Sequence, residues 1–330
     1  MKAFIHGEIN EYIQWHDTDG NIINASDGGI IYADGKYHWY GQALRPLSDK
    51  EGGQKTTRGV VMYESENLLD WKYEGVILAT SDDPESELFA PMRFERPKII
   101  YNEKTKQYVL WCHYVKHPGN HGNRDGEAEA GVAVCDRVCG EYKWIGTSRP
   151  IDNKGFVRDS TLYKDADGSA YFIYDRHVLE GEGKTQFTKG DRCLHVVKLS
   201  DDYLSFTDTY KRIDAAFWRE APAIVYKDGY YYIVTSGLTG WQTNQAEAFR
   251  TKHLLDEWES IGDPCIDDET HTTFNTQSTF SFKVEGTDTH IMMFERHNTN
   301  NFAECSYIWL PVEFNEDNTI SLRYRKEWSF

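Results

Sequence analysis

Four carboxylates, Asp27, Glu95, Asp159 and Glu220, each stand at the head of a strand-like run in this 330-residue chain. Asp27 opens a run through Gly28-Gly29-Ile30-Ile31-Tyr32, and Glu95 one through Pro97-Lys98-Ile99-Ile100-Tyr101. Asp159 leads into Ser160-Thr161-Leu162-Tyr163, and Glu220 into Ala221-Pro222-Ala223-Ile224-Val225-Tyr226. If the fold gathers these acids, their mutual repulsion raises at least one pKa and leaves a neutral acid beside an ionised carboxylate. Such a pair can protonate a leaving oxygen and activate water across one glycosidic bond. Arg96, Arg158 and Arg219 adjoin three of the acids. Neighbours in a strand point to opposite faces, so these arginines need not neutralise the acids.

The elements that position the acids repeat. Each head is followed by a turn, such as Asp34-Gly35 or Asp228-Gly229, and then by an aromatic and β-branched run. A fifth, looser copy starts at Gln277. The heads recur at intervals that shrink from 68 to 57 residues. After each hairpin comes a second pair of strand-like runs, such as those around Val60-Val61-Met62 and Val76-Ile77-Leu78. Four strands per repeat and five repeats predict an all-β chain, a five-bladed β-propeller with four antiparallel strands per blade. Equivalent positions on the innermost strands then face one channel, and the acids meet at its mouth. Trp39, Trp71, Trp111, Trp144 and Trp258 fall at repeat-equivalent positions and are expected to pack between blades.

With 39% hydrophobic residues the chain can build a large core, and a propeller spreads that core between blades. No low-complexity linker interrupts it, so residues 1–330 read as one domain. The first 26 or so residues are polar and could supply a strand that closes the ring. A net charge of −17 speaks against nucleic acid as a partner, and no long apolar run offers a membrane span. The six cysteines are scattered, and Cys135 and Cys139, the one close pair, lack a matching pair for zinc. With no apolar leader at the N-terminus, a reducing cytoplasm is the expected location. Polar loops at residues 48–58, 117–126 and 180–191 should lie on one face of the disc. His117 and His121 sit at helical spacing, but Pro118, Gly119 and Gly122 argue against a helix and so against a metal pair. The Trp218 and Trp241 indoles could stack on sugar C–H faces, with Gln242 and Asn244 reading hydroxyls.

Over nearly its whole length the chain resembles glycoside hydrolase family 43, the five-bladed propeller glycosidases. The resemblance implies that Asp27 is the general base, Asp159 the residue that tunes and orients the acid, and Glu220, in Arg219-Glu220-Ala221-Pro222, the general acid. It also implies inversion at the anomeric carbon and an oligosaccharide substrate. Finer motifs resemble the branch of exo-β-1,3-galactanases. They are Phe94-Glu95-Arg96-Pro97-Lys98, Thr235-Ser236-Gly237-Leu238-Thr239-Gly240-Trp241 with Asn244, and Thr276-Gln277-Ser278-Thr279. By that match Glu95 resembles a sugar-binding carboxylate, with Arg96, Arg158 and Gln277 beside the substrate. Those galactanases lack the blade-one Asp and are thought to hold the water with a Gln at the position of Gln277. Asp27 departs from that pattern, and it favours exo-acting relatives that release a terminal furanose, α-L-arabinofuranose or β-D-galactofuranose. An exo-β-1,3-galactosidase is the alternative, and a glycan-binding propeller without catalysis is the reading from another class. No cofactor is required. Some relatives carry calcium in the channel, and no dedicated ligand set for it is legible here.

Overall fold

The computed structural model describes residues 2–44, 57–89, 93–115, 128–152, 154–178 and 191–330. Four antiparallel four-stranded sheets follow in chain order. Blade I comprises Ser26–Ala33, Lys36–Leu44, Thr57–Ser65 and Lys72–Ala79. Blade II comprises Arg93–Asn102, Gln107–Val115, Ala128–Cys135 and Lys143–Ser148. Blade III comprises Phe156–Lys164, Ala170–Val178, Asp191–Leu199 and Phe206–Phe217. Blade IV comprises Arg219–Lys227, Tyr230–Gly237, Glu247–Thr251 and Glu259–Gly262. The first strand of every blade lies beside the first strands of its two neighbours, and the ring closes from the fifth blade back to the first. This is the five-bladed propeller expected from the repeat.

Blade V departs from the four-strand expectation. Its ladder has three strands, Gln277–Lys283, His290–Arg296 and Ser306–Pro311. The outer edge at Trp309 is satisfied by side chains instead. The Trp309 N–H donates to His6 Nε2 at 3.2 Å, and Trp328 Nε1–H donates to the Trp309 carbonyl at 2.7 Å. Burial holds the His6 pKa down at about 4, which keeps its Nε2 lone pair free to accept. His6 follows, and Trp328 belongs to, the short pairing of Phe4–Ile5 with Glu327–Trp328. The polar N-terminus therefore does contribute to closure, in partnership with the C-terminus.

The five large apolar clusters among the described residues each lie between adjacent blades. Trp39 and Trp71 pack with Trp309 and Phe4 between blades V and I. Trp111 fills the II–III space, Trp258 the III–IV space, and Trp144 packs against the I–II cluster. Period-2 alternation puts one set of side chains into each flanking cluster, so every blade is cemented on both faces. No helix among the described residues is long and apolar enough to cross a membrane.

Candidate active site

Each innermost strand carries an irregularity at its head. In blade I the pairing jumps from Ser26–Gln42 to Gly29–Tyr40, so Asp27 and Gly28 oppose Gly41 alone. Blade II skips Arg96 and Pro97, blade III Arg158 and Asp159, and blade IV Ala221 and Pro222. These are two-against-one β-bulges, which leave residues unpaired and re-aim their side chains. Pro97 and Pro222 are tolerated because a bulge asks no ladder hydrogen bond of them. Asp27, Arg96 and Ala221 adopt left-handed backbone, with φ of 56°, 54° and 54°. A Cβ on Gly28 would sit 1.6 Å from the Tyr40 carbonyl oxygen, so only glycine fits there.

The bulges correct the expectation that the four acids occupy equivalent positions. Glu95 and Glu220 are the last paired residues before their bulges, Asp27 is the first bulge residue of its strand, and Asp159 the second. Three successive register positions reach one pocket of about 420 Å³, lined by all four acids. The blade II bulge also turns Arg96 inward. It is buried in the pocket, with Nη2 3.1 Å from Asp159 Oδ2 and Nε 3.8 Å from Asp27 Oδ1. Arg158 lines the pocket too, whereas Arg219 turns away and donates to Thr235 and to the Gln245 carbonyl.

Glu220 is the most perturbed acid. Its side chain is only 14% exposed. Burial first, and then the charge of Asp159, raise its pKa to about 8, against the opposing pull of Arg192 and Arg96. Arg192 Nη2 lies 3.0 Å from Glu220 Oε2, and its Nε donates to Asp175 Oδ2 at 2.6 Å. Gln277 accepts from Arg96 Nη2 at 2.5 Å, while its own amide reaches Ser236 Oγ at 3.0 Å and Glu220 Oε1 at 3.4 Å.

Asp27 is held from several sides. Its N–H donates to Glu295 Oε2 at 2.7 Å, which pins the left-handed backbone. Gln42 Nε2–H donates to Asp27 Oδ2 at 2.7 Å, and His297 Nε2 lies 3.3 Å from Oδ1. Lys98 Nζ donates to the Asp27 carbonyl at 2.8 Å, and burial together with Arg96 lowers its pKa to about 7. Asp27, Glu295 and His297 bring one ligand atom each to within 4.8 Å of the other two, a set with the donors to hold a cation, and Lys98 and Arg96 stand beside it.

Of the other expected binders, Glu95, Trp218 and Trp241 line the pocket. Trp241 is 44% exposed and packs on His297 and Phe302 at its rim. Gln242 and Asn244 are not in the pocket wall. Asn244 is spent on the loop itself: it accepts from the Gly237 N–H at 2.6 Å and donates to Thr239 Oγ1 at 2.7 Å. The loops at 117–126 and almost all of 48–58 and 180–191 lie outside the described residues.

Sequence reasoning missed a second ring of polar groups. Gln42, His113, Asp175, Ser236 and Glu295 all come from the ends of second strands, opposite or beside the bulges. The signal was a polar residue following buried ones, as in Cys112-His113, Tyr174-Asp175 and Phe294-Glu295. Arg192 was missed because it starts a third strand, which also begins at the mouth.

A ring of bulged strands that delivers a protonated acid and a second carboxylate to one pocket is the apparatus of a propeller glycoside hydrolase. The chain belongs to glycoside hydrolase family 43: the family described as Glycosyl hydrolases family 43 matches residues 22–320. Among solved structures it is similar to the family 43 β-1,3-galactosidase BT3683, solved with galactodeoxynojirimycin. That similarity is 30% identity over 99% of this chain and 100% of that one, with a TM-score of 0.85. A second family 43 β-1,3-galactosidase, BT0265, is 29% identical over 99% of this chain and 64% of its own, with a TM-score of 0.84. An exo-β-1,3-galactanase from Clostridium thermocellum is 27% identical over 98% and 66%, with a TM-score of 0.77. No curated protein matches the chain.

Proposed function

We propose that this glycoside hydrolase is an exo-acting, inverting β-1,3-galactosidase. The observation that carries the proposal is the convergence of Glu220, raised to about 8, with Asp27 and Asp159 in one pocket. The end-to-end similarity to a β-1,3-galactosidase supports the choice of sugar. Glu220 protonates the leaving oxygen and then serves as a carboxylate until a proton returns. Asp27 takes the proton of the attacking water on the opposite face of the ring. Asp159 acts through charge: it keeps Glu220 protonated, and it holds Arg96 at 3.1 Å. Gln277, which links Arg96 to Glu220, orients the water or a sugar hydroxyl, and Trp241 offers its exposed indole to the sugar face.

One observation favours a second reading. Asp27 restores a carboxylate where the galactanases resembled by the motifs lack one, which supports release of a terminal furanose. Side-by-side turnover of β-1,3-galactobiose and the 4-nitrophenyl glycosides of β-D-galactopyranose, β-D-galactofuranose and α-L-arabinofuranose separates the two. Turnover of the galactopyranosides is expected. Turnover of a furanoside alone would replace the first reading by the second.

A further inference from the structure

The end of the inner strands away from the pocket holds a different cluster. His38 comes from the second strand of blade I, Glu64 from the end of its third strand, and Cys139 from the turn that follows Ala128–Cys135 in blade II. One ligand atom from each lies within 4.8 Å of the other two. Cys139 Sγ is 3.2 Å from His38 Nδ1.

The imidazole orientation is an independent observation. His38 Nε2 lies 3.2 Å from the Ala33 carbonyl, which can only accept. Nε2 therefore carries the proton, and Nδ1 turns its lone pair toward the sulfur. A metal-bound histidine is ordinarily set in this way, its far N–H fixed by a carbonyl. The surroundings are acidic, with Glu64, Glu74 and Asp34 acting on the Cys139 thiol. Lys36 Nζ steadies the Glu64 carboxylate at 2.5 Å. His38 is buried, while Glu64 and Cys139 are half-buried, which leaves a route from solvent.

We propose that His38, Glu64 and Cys139 form a binding site for a zinc-class divalent cation that ties blade I to blade II, remote from the catalytic pocket. One nitrogen, one sulfur and one carboxylate oxygen suit borderline ions such as zinc(II) or cobalt(II), whereas calcium and magnesium ask for oxygen alone. On binding, the Cys139 S–H bond breaks, its proton goes to solvent, and the thiolate and the Glu64 carboxylate together balance the two charges of the ion. The cysteine pair that lacked a zinc partner in sequence thus splits, and Cys139 finds its co-ligands across the blade boundary.

The experiment uses the full chain without a histidine tag. Cobalt(II) chloride and zinc(II) chloride are titrated separately into wild type, Cys139→Ser and Cys135→Ser, followed by the thiolate-to-cobalt absorption band and by thermal melting. Wild type and Cys135→Ser should show the band at one ion per chain, and zinc should raise their melting temperature. Cys139→Ser should lose the band and the zinc-dependent rise while melting near the metal-free wild type. His38→Ala, as a second variant, should lose the band as well. The proposal is overturned if wild type binds no more cobalt than Cys139→Ser, or if the band follows Cys135.

Discussion

Replacing Arg192 by methionine removes the cation that most strongly opposes protonation of Glu220, and replacing Asp159 by asparagine removes the charge that most strongly favours it. The two variants should therefore move the alkaline limb of the pH profile in opposite directions. In wild type that limb should fall near pH 8, where Glu220 loses its proton, against 4.5 for an ordinary glutamate. A single charge within about 4–6 Å shifts a carboxyl by about 1–3 pH units, so Arg192→Met should carry the limb upward by about that much. Asp159→Asn should carry it downward by a similar amount. Arg96, freed from its 3.1 Å pairing with Asp159, then acts more fully on Glu220 and adds to the fall. Each pH unit corresponds to about 1.36 kcal/mol between the protonation states. The assay is kcat/KM of a β-1,3-linked galactobiose across pH 5 to 10, because that parameter reports the free enzyme. Limbs that move in the same direction, or that do not move, would refute the assignment of Glu220 as the acid set by these two charges.

Further predictions follow from the same geometry. Glu220→Gln should lower kcat by about 10²–10⁴-fold with an unchanged fold by circular dichroism. That variant should also gain stability relative to wild type as pH rises from 4.5 to 8. The raised pKa means that the native state binds the extra proton over this window, so wild type loses stability there, with a ceiling on the order of 5 kcal/mol. Melting curves of both proteins at pH 5 and pH 8.5 measure the difference. His6→Ala should cost about 1–3 kcal/mol in urea unfolding, by stranding the Trp309 N–H. The His6 contribution should be complete above pH 6.5 and be lost as pH falls through about 4, its lowered native pKa. Trp241→Ala should raise KM by an amount equivalent to about 0.5–1.5 kcal/mol and leave kcat nearly unchanged, as measured by initial rates.

The propeller was legible because its hairpins are written in turn residues and alternating runs, and because interblade tryptophans such as Trp71 and Trp258 recur just before a fourth strand. The acids were legible as heads of those runs. Their exact placement was not, since a bulge is set by the partner strand as much as by its own residues. Nothing in Phe94-Glu95-Arg96-Pro97 alone says that Arg96 will turn left-handed and bury its guanidinium between Asp27 and Asp159. The second-strand ring of Gln42, His113, Asp175, Ser236 and Glu295 was hidden for a related reason. They stand near the ends of largely apolar runs, and only the blade geometry shows that these ends return to the mouth. The three-stranded ladder of blade V could not be read either, because its edge is completed by His6 and Trp328 from the two chain ends.

The central claim is that Glu220 and Asp27, carried by different blades, act on one glycosidic bond from opposite faces. The anomeric configuration of the first galactose released from a β-1,3-linked galactan, followed by proton NMR before mutarotation, tests it most directly. The account predicts the α anomer first. The β anomer appearing first would show retention and contradict the assignment of an acid and a water-activating base.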